Sequence, residues 1–205
     1  MQPRMILALA LCSIWAAGCA TRPSDSEAER ALAEMIKASF KTRGQATIDR
    51  LSQDDAQALC GKHAGELPKD ASDAIEKAQQ ATIRYPSSSK LIGDWRQGER
   101  IAQSGTGKQF TDDLTRPAGG SCYNCHQLSK QELSFGTIGP SLYQFGKLRG
   151  ASEAVQRYAY GKIYNAQGYS ACSNMPRFGH NGILTEEQIT HLVALLLDPN
   201  SPVNK

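Results

Sequence analysis

Two thiols and an imidazole stand together in Cys122-Tyr123-Asn124-Cys125-His126, the string with the most chemistry in the chain. Cysteines at this spacing with histidine directly after them read as c-type haem attachment. The thiols can add to the two vinyl groups of one haem, and the adjacent histidine then reaches the iron from the same side. Two other chemistries use such a pair. Structural zinc needs a fourth ligand, and a second Cys-x-x-Cys or a His-x-x-x-His pair is absent. A thioredoxin-like dithiol opens a helix after a strand in a βαβ pattern, which is not visible here. One covalent haem c is the expectation.

A haem iron held by His126 has a second axial position to fill. Of four methionines, Met1 and Met5 lie in the N-terminal leader and Met35 lies far upstream. Met175 is the only one downstream of the motif, in Asn174-Met175-Pro176-Arg177-Phe178-Gly179, whose Pro and Gly predict a loop. His180, His63 and His191 are the histidine alternatives, and Met175 as a gap-filler in the core is the plain one. A His/Met pair would raise the haem potential and close both axial positions, which suits electron transfer.

The elements around these residues are helical. Asp94 to Ala102 predicts a short helix with Trp95 and Ala102 near one face, and Gly98 in its middle predicts close backbone packing, since glycine there costs about 1 kcal/mol against alanine. Its partner runs from Thr185 to Leu197. Thr185 and Gln188 form a capping box, Glu186 and Glu187 suit the positive end of the dipole, and Ile189, Leu192, Val193 and Leu196 form the apolar stripe. Asp198-Pro199 ends it. Between them, Gly136-Thr137-Ile138-Gly139-Pro140-Ser141-Leu142 is a loop, and a short helix is expected from Ser152 to Tyr160.

Composition bounds the rest. In 205 residues, 40% hydrophobic and 21% charged is ordinary globular usage. The 23 basic residues against 20 acidic give a net charge of +3, too small for a phosphate-driven nucleic-acid binder. Met1 to Arg4 carry one positive charge, Met5 to Trp15 are an apolar run too short to span a bilayer, and Ala16-Ala17-Gly18-Cys19 follows. This is the layout of a secretory signal peptide over residues 1–18. It resembles a lipobox, with alanine where leucine is usual, so Cys19 is a candidate for lipidation. Ordinary cleavage after Ala20 is the alternative. Lipid on Cys19 would tether an exported chain to a membrane surface without a spanning helix.

From Leu91 to Asn204 the chain resembles SoxX, the monohaem cytochrome subunit of the sulfur-oxidising SoxXA complex. The strings that carry the resemblance are Gly93-Asp94-Trp95, Cys122 to Gln127, Gly136 to Leu142, Met175 to Gly179 and Leu184 to Ile189. The haem motif alone belongs to every cytochrome c, whereas the Gly-Thr-Ile-Gly-Pro-Ser-Leu and Met-Pro-Arg-Phe-Gly strings are more specific. The resemblance implies an all-α, class I cytochrome c fold at 91–205, with His126 as proximal ligand, Met175 as distal ligand, and the Pro140 carbonyl holding the ring N–H of His126. It also implies a periplasmic setting and three partners: a SoxA-like haem subunit, a SoxYZ-like carrier and a downstream cytochrome c. In such a pair thiosulfate is coupled oxidatively to the carrier cysteine at the SoxA haem, and the SoxX chain takes up the electrons. A free-standing electron carrier and a haem enzyme with an open iron site are the alternatives.

Residues 19–90 carry no second haem signal and read as a helical extension. Leu32, Met35, Ile36 and Phe40 predict a helix over Glu27–Lys41, Ser52-x-x-Asp55 can cap a second, and a third is expected from Lys69 to Arg84. Few large apolar residues fall in them, so the extension should fold onto the cytochrome domain or its partner. Cys12 leaves with the signal, so Cys60 and Cys172 remain unassigned. Export permits a disulfide between them, which would staple the extension three residues from Met175. Two buried thiols or an intersubunit bond are the alternatives. Seven basic residues against two acidic lie from Arg116 to His180; haem propionates, with Arg177 a candidate partner, an acidic redox partner, or a merely solvated surface are the readings open to them.

Overall fold

The computed structural model describes residues 24–205, so Cys12, Cys19 and the signal segment lie outside the described residues. The described chain is all-α. Its helices are α1 (Asp25–Ser39), α2 (Asp55–Lys62), α3 (Lys69–Gln80), α4 (Trp95–Gln103), α5 (Phe145–Arg149), α6 (Glu153–Tyr164) and α7 (Glu186–Leu197). The one β feature among the described residues is an isolated bridge between Arg43 and Ala46. No helix among them is long and apolar enough to cross a membrane.

The chain divides after Lys41. In the first unit, Ser24 caps α1: its side chain accepts the Glu27 N–H while the Glu27 carboxylate accepts the Ser24 N–H. The helix therefore starts two residues before the predicted Glu27, and it stops at Ser39 because Phe40 takes an extended backbone.

In the second unit, α4 and α7 cross with their backbones in contact. A Cβ on Gly98 would stand 2.1 Å from the His191 carbonyl oxygen, so no larger residue fits the crossing. That close approach is the compensation for glycine inside a helix. The Asp94 N–H donates to His191 Nδ1 at 2.8 Å and the Gly93 N–H to the Thr190 carbonyl at 3.0 Å, locking the entry of α4 onto α7. Both halves of the Thr185–Gln188 capping box are present. Every α7 residue from Leu192 to Leu197 is buried, together with Ile189 and Thr190, so the apolar face is wider than the predicted stripe.

Across this pair lies α6, whose Ala159, Tyr160, Ile163 and Tyr164 join the same core. It runs four residues beyond the predicted Tyr160 because those side chains are buried, and it stops at Asn165, whose side chain accepts the Gln167 N–H of the next turn. The short α5 was not predicted. It begins after Gln144 in a left-handed conformation, and its Gly146 lies against the Leu196 carbonyl.

Residues 42–90 belong to this second unit, so the structure draws no division at Lys90. The tie is polar as well as apolar. Buried Asn165 donates to Gln79 Oε1 at 2.8 Å and Thr82 Oγ1 at 2.9 Å, Gln80 donates to the Gly168 carbonyl, and the Tyr85 ring stacks 5.3 Å from Tyr160. Asp54, not Ser52, caps α2 in a reciprocal pair with Gln57, because Ser52 is spent leaving the 3-10 turn Ile48–Leu51. Likewise α3 ends at Gln80 rather than Arg84, where the Thr82 hydroxyl donates to the Gln79 carbonyl and turns the chain out.

Candidate functional site

The cysteine-histidine motif forms a single 3-10 turn, Cys122–Asn124, entered through Ser121 at a left-handed φ of 47°. Three backbone bonds pin its approach to α4 and the residues after it: Gly120 to Ile101 at 2.8 Å, Ser121 to Ser104 at 2.9 Å and Gly119 to Thr106 at 2.6 Å. The N–H groups of Cys125 and His126 both donate to the Cys122 carbonyl, which puts the two thiols and the imidazole on one tight turn.

The glycine-rich loop then runs back along this turn. Gly136 donates to Tyr123, Gly139 to Cys125 and Leu142 to Gln127, each at 2.8 Å. The ladder explains the glycines. A Cβ on Gly136 would fall 1.8 Å from the Asn124 carbonyl oxygen, and one on Gly139 would fall 2.2 Å from Cε1 of His126. At the end of this rail the Pro140 carbonyl oxygen lies 2.7 Å from Nδ1 of His126. A carbonyl only accepts, so Nδ1 carries a proton, and in the neutral tautomer this leaves the Nε2 lone pair for another partner.

Cys122 and Cys125 are free thiols. Burial pushes the Cys122 thiol up to about 12, which keeps it protonated at neutral pH. A protonated thiol is a poor metal ligand and a poor nucleophile for disulfide exchange. Among the described residues no three His, Cys, Asp or Glu side chains converge on a point that could hold a metal ion.

Met175 occupies the loop between α6 and α7, half-buried against the same hydrophobic core that Cys122 touches. Two links bracket it. Cys60 and Cys172 form a disulfide across 112 residues of sequence. Arg177, two residues beyond Met175, is buried and pairs with Asp54 Oδ2 at 2.5 Å, with Gln79 Oε1 at 3.4 Å. Arg177 is thus occupied within the protein rather than offered to a propionate.

The histidine alternatives have surroundings of their own, His180 beside the Arg177–Asp54 pair. His180 lies 3.2 Å from Thr82 Oγ1, and burial with the Arg177 charge lowers its pKa. His63 is the exposed C-cap of α2. His191 accepts the Asp94 N–H within the helix crossing. The basic stretch is also partly used up: Arg157 pairs with Glu153 at 2.9 Å, and Lys162, half-buried, donates to the Ala166 carbonyl.

Sequence pattern missed Asp54 and Asn165. The Asp54-x-x-Gln57 capping box is a legible local signal, but the partners of these two residues lie 123 and 86 positions away, beyond any local pattern.

The fold and site define an all-α protein in which a Cys-x-x-Cys-His turn is clamped by a Gly-Pro loop. No family model matches the chain. It is similar to an uncharacterized lipoprotein of Aquifex aeolicus (strain VF5), at 33% identity over 196 residues, covering 91% of this chain and 92% of the relative. The chain belongs to the family of that lipoprotein.

Proposed function

We propose that the chain is an exported monohaem cytochrome c of class I fold that serves as the electron-transfer subunit of a SoxXA-type thiosulfate-oxidising complex. The observation that carries the haem reading is the His126–Pro140 pair: an imidazole held through Nδ1, one residue after two free thiols on the same turn. This donor set fits a covalently held haem. Cys122 and Cys125 would carry the thioether bonds, His126 Nε2 would be the proximal ligand and Met175 the distal one. When bound, the haem supplies a one-electron iron couple. The protein's own part is to fix the imidazole tautomer through Pro140, to hold Met175 at the core edge, and to keep water from the buried side of the turn.

The SoxX-like role is supported by the strings from Gly93 to Ile189, and it names the partners: a SoxA-like subunit carrying the bond-forming haem, a SoxYZ-like carrier, and a downstream cytochrome c that takes the electrons. Lipid on Cys19 and a membrane tether are supported by the residues Ala16 to Cys19 and by the lipoprotein name of the Aquifex relative, and a periplasmic location by the export layout and the SoxX-like strings.

Expression with a cytochrome c maturation system, followed by intact-mass measurement of the unreduced mature protein, reads haem number and lipid together. One haem and a diacylated Cys19 are expected. A chain with no added haem would sink the cytochrome reading. Co-purification with a second haem subunit from thiosulfate-grown cells is expected, and a stably solitary electron donor would favour the free-standing carrier.

A further inference from the structure

We propose that α2 is a two-point strap whose ends, Asp54 and Cys60, position Met175. The inference rests on the reading of Met175 as an iron ligand only for its consequence, not for its geometry.

The helix contributes one anchor at each end. Asp54 caps the N-terminus and Cys60 sits in the last turn, about 9 Å further along at the α-helical rise. Their partners bracket Met175. Cys172 precedes it by three residues and Arg177 follows it by two, so each end of α2 holds one side of the same short loop.

Beyond α2, α3 adds the Gln79 contact to Arg177 at 3.4 Å and a Glu76 contact to the Ala171 N–H at 3.3 Å, and the bonds inside the loop are local. The Met175 N–H donates to Ser173 Oγ at 3.2 Å, Ser173 donates to Ser170, and Phe178 donates to Pro176. Among the described residues, the backbone N–H groups from Cys172 to Arg177 find no partner outside the loop. Asn174 and Pro176 face solvent. The path of the backbone through Met175 is therefore set at its ends, with the Met175 side chain resting against the core between them.

The two links act differently. The disulfide is a covalent restraint that removes freedom from the loop whatever the pH. The ion pair draws its strength from an uneven environment: the Arg177 side chain is 8% exposed and that of Asp54 is 41%. Without Asp54 the guanidinium would be a buried charge lacking its counter-ion, and the loop would have to move to rehydrate it. A cavity of about 530 Å³ opens beside the strap, with Cys60, Cys172, Met175 and Arg177 in its wall, which gives the loop room to move.

Amide hydrogen exchange on the full mature protein tests the strap, with the buried Val193 amide of α7 as internal reference. Three variants separate the links: Cys60→Ser with Cys172→Ser, Asp54→Asn, and all three changes together. Asparagine caps a helix as well as aspartate does, so Asp54→Asn removes the ion pair and spares α2. Exchange at Met175 should rise at least about tenfold in the combined variant, with less in each of the others and no change at Val193. In the haem-loaded protein the thioether-to-iron charge-transfer band should weaken, and added imidazole should bind faster.

Unchanged exchange at Met175 in the combined variant would overturn the strap, as would an equal rise at Val193, which marks a general stability element. If the combined variant does not fold, phosphine reduction of the native protein replaces it, with the same two amides read before and after. The two readings fail separately. A Met175→Ala protein that keeps the native spectrum removes the ligand assignment and leaves the exchange result standing, whereas an unchanged loop beneath an intact thioether band removes only the strap.

Discussion

Gly139 lies flush against the imidazole of His126: a methyl group on its Cα would stand 2.2 Å from Cε1, 2.5 Å from Nδ1 and 2.8 Å from Nε2. The ring is thus backed by peptide on one side while the carbonyl of the next residue, Pro140, accepts a hydrogen bond from its Nδ1–H. Orientation and tautomer are both set by two consecutive residues of one loop.

Gly139→Ala should therefore displace the ring or the loop. Overpacking of this kind costs roughly 1–3 kcal/mol. The expected result is a lower denaturation midpoint together with a lower yield of covalently attached haem. Pro140→Ala should be much milder, because the group that holds Nδ1 is a backbone carbonyl that alanine also supplies. Equal damage from the two substitutions, read by denaturant titration and by haem absorbance, would show that the ring does not depend on the Gly139 contact.

At the helix crossing the same logic opposes helix propensity. Alanine is about 1 kcal/mol better than glycine inside a helix. Yet a Cβ at position 98 would meet the His191 carbonyl oxygen at 2.1 Å and Leu195 Cβ at 3.0 Å, both fixed parts of α7. Gly98→Ala should destabilise by roughly 1–3 kcal/mol in spite of its propensity. A rise in the midpoint would mean that the helices can separate without loss.

The helical elements and the cysteine-histidine turn were legible because their signals are local. Thr185 and Gln188, Ser152, and Asp94 stand where capping chemistry requires them. The glycine at 98 announced a close crossing, and the capped apolar run from Thr185 to Leu197, its expected partner, is the helix it meets. Less legible was anything fixed by distant residues. Nothing near Asn165 in sequence tells that α3 satisfies its amide, and nothing near Arg177 points to Asp54. The boundary at Lys90 followed from where the resemblance ends, and the scarcity of large apolar residues upstream predicted only that the extension would fold onto another core. Residues 42–90 are held to the core by hydrogen bonds, a disulfide and one stacked tyrosine, whose partners apolar counting does not register. The α6 terminus was missed for a related reason: tertiary burial of Ile163 and Tyr164 extends the helix.

Tyr160 offers a gain rather than a loss. Its side chain is fully buried, and its hydroxyl has no hydrogen-bond partner among the described residues. Burial also pushes its pKa upward. A buried hydroxyl without a partner costs on the order of 1–3 kcal/mol in desolvation. Tyr160→Phe keeps the ring between Tyr85, at 5.3 Å, and Tyr164, at 6.1 Å, and removes only the oxygen. Stability to urea should be unchanged or higher. A loss beyond about 1 kcal/mol would show that the hydroxyl is bonded in solution.

Acid sensitivity should arise in two steps around Arg177. Burial raises the Asp54 carboxyl, but the Gln57 N–H, the Arg177 hydrogen bond and the charges of Arg177 and His180 outweigh it, so its pKa is lowered on folding. His180 is also lowered, by burial first and then by the Arg177 charge, against an opposing pull from Asp54. For both groups the unfolded chain binds the proton more readily, so stability falls as pH falls. The His180 loss begins near its unfolded value of about 6.5 and levels off below its folded value. The Asp54 contribution is complete above its unfolded value of about 3.9 and disappears as pH drops through the lower folded one. Urea midpoints taken from pH 7 to 3 should show both declines. In Asp54→Asn the lower one should shrink to what Glu27 and Asp113, also lowered, still contribute, while the His180 one deepens because the carboxylate that favoured the imidazolium is gone. A variant curve parallel to that of the native protein over the whole range would show that the Asp54–Arg177 pair does not form in solution.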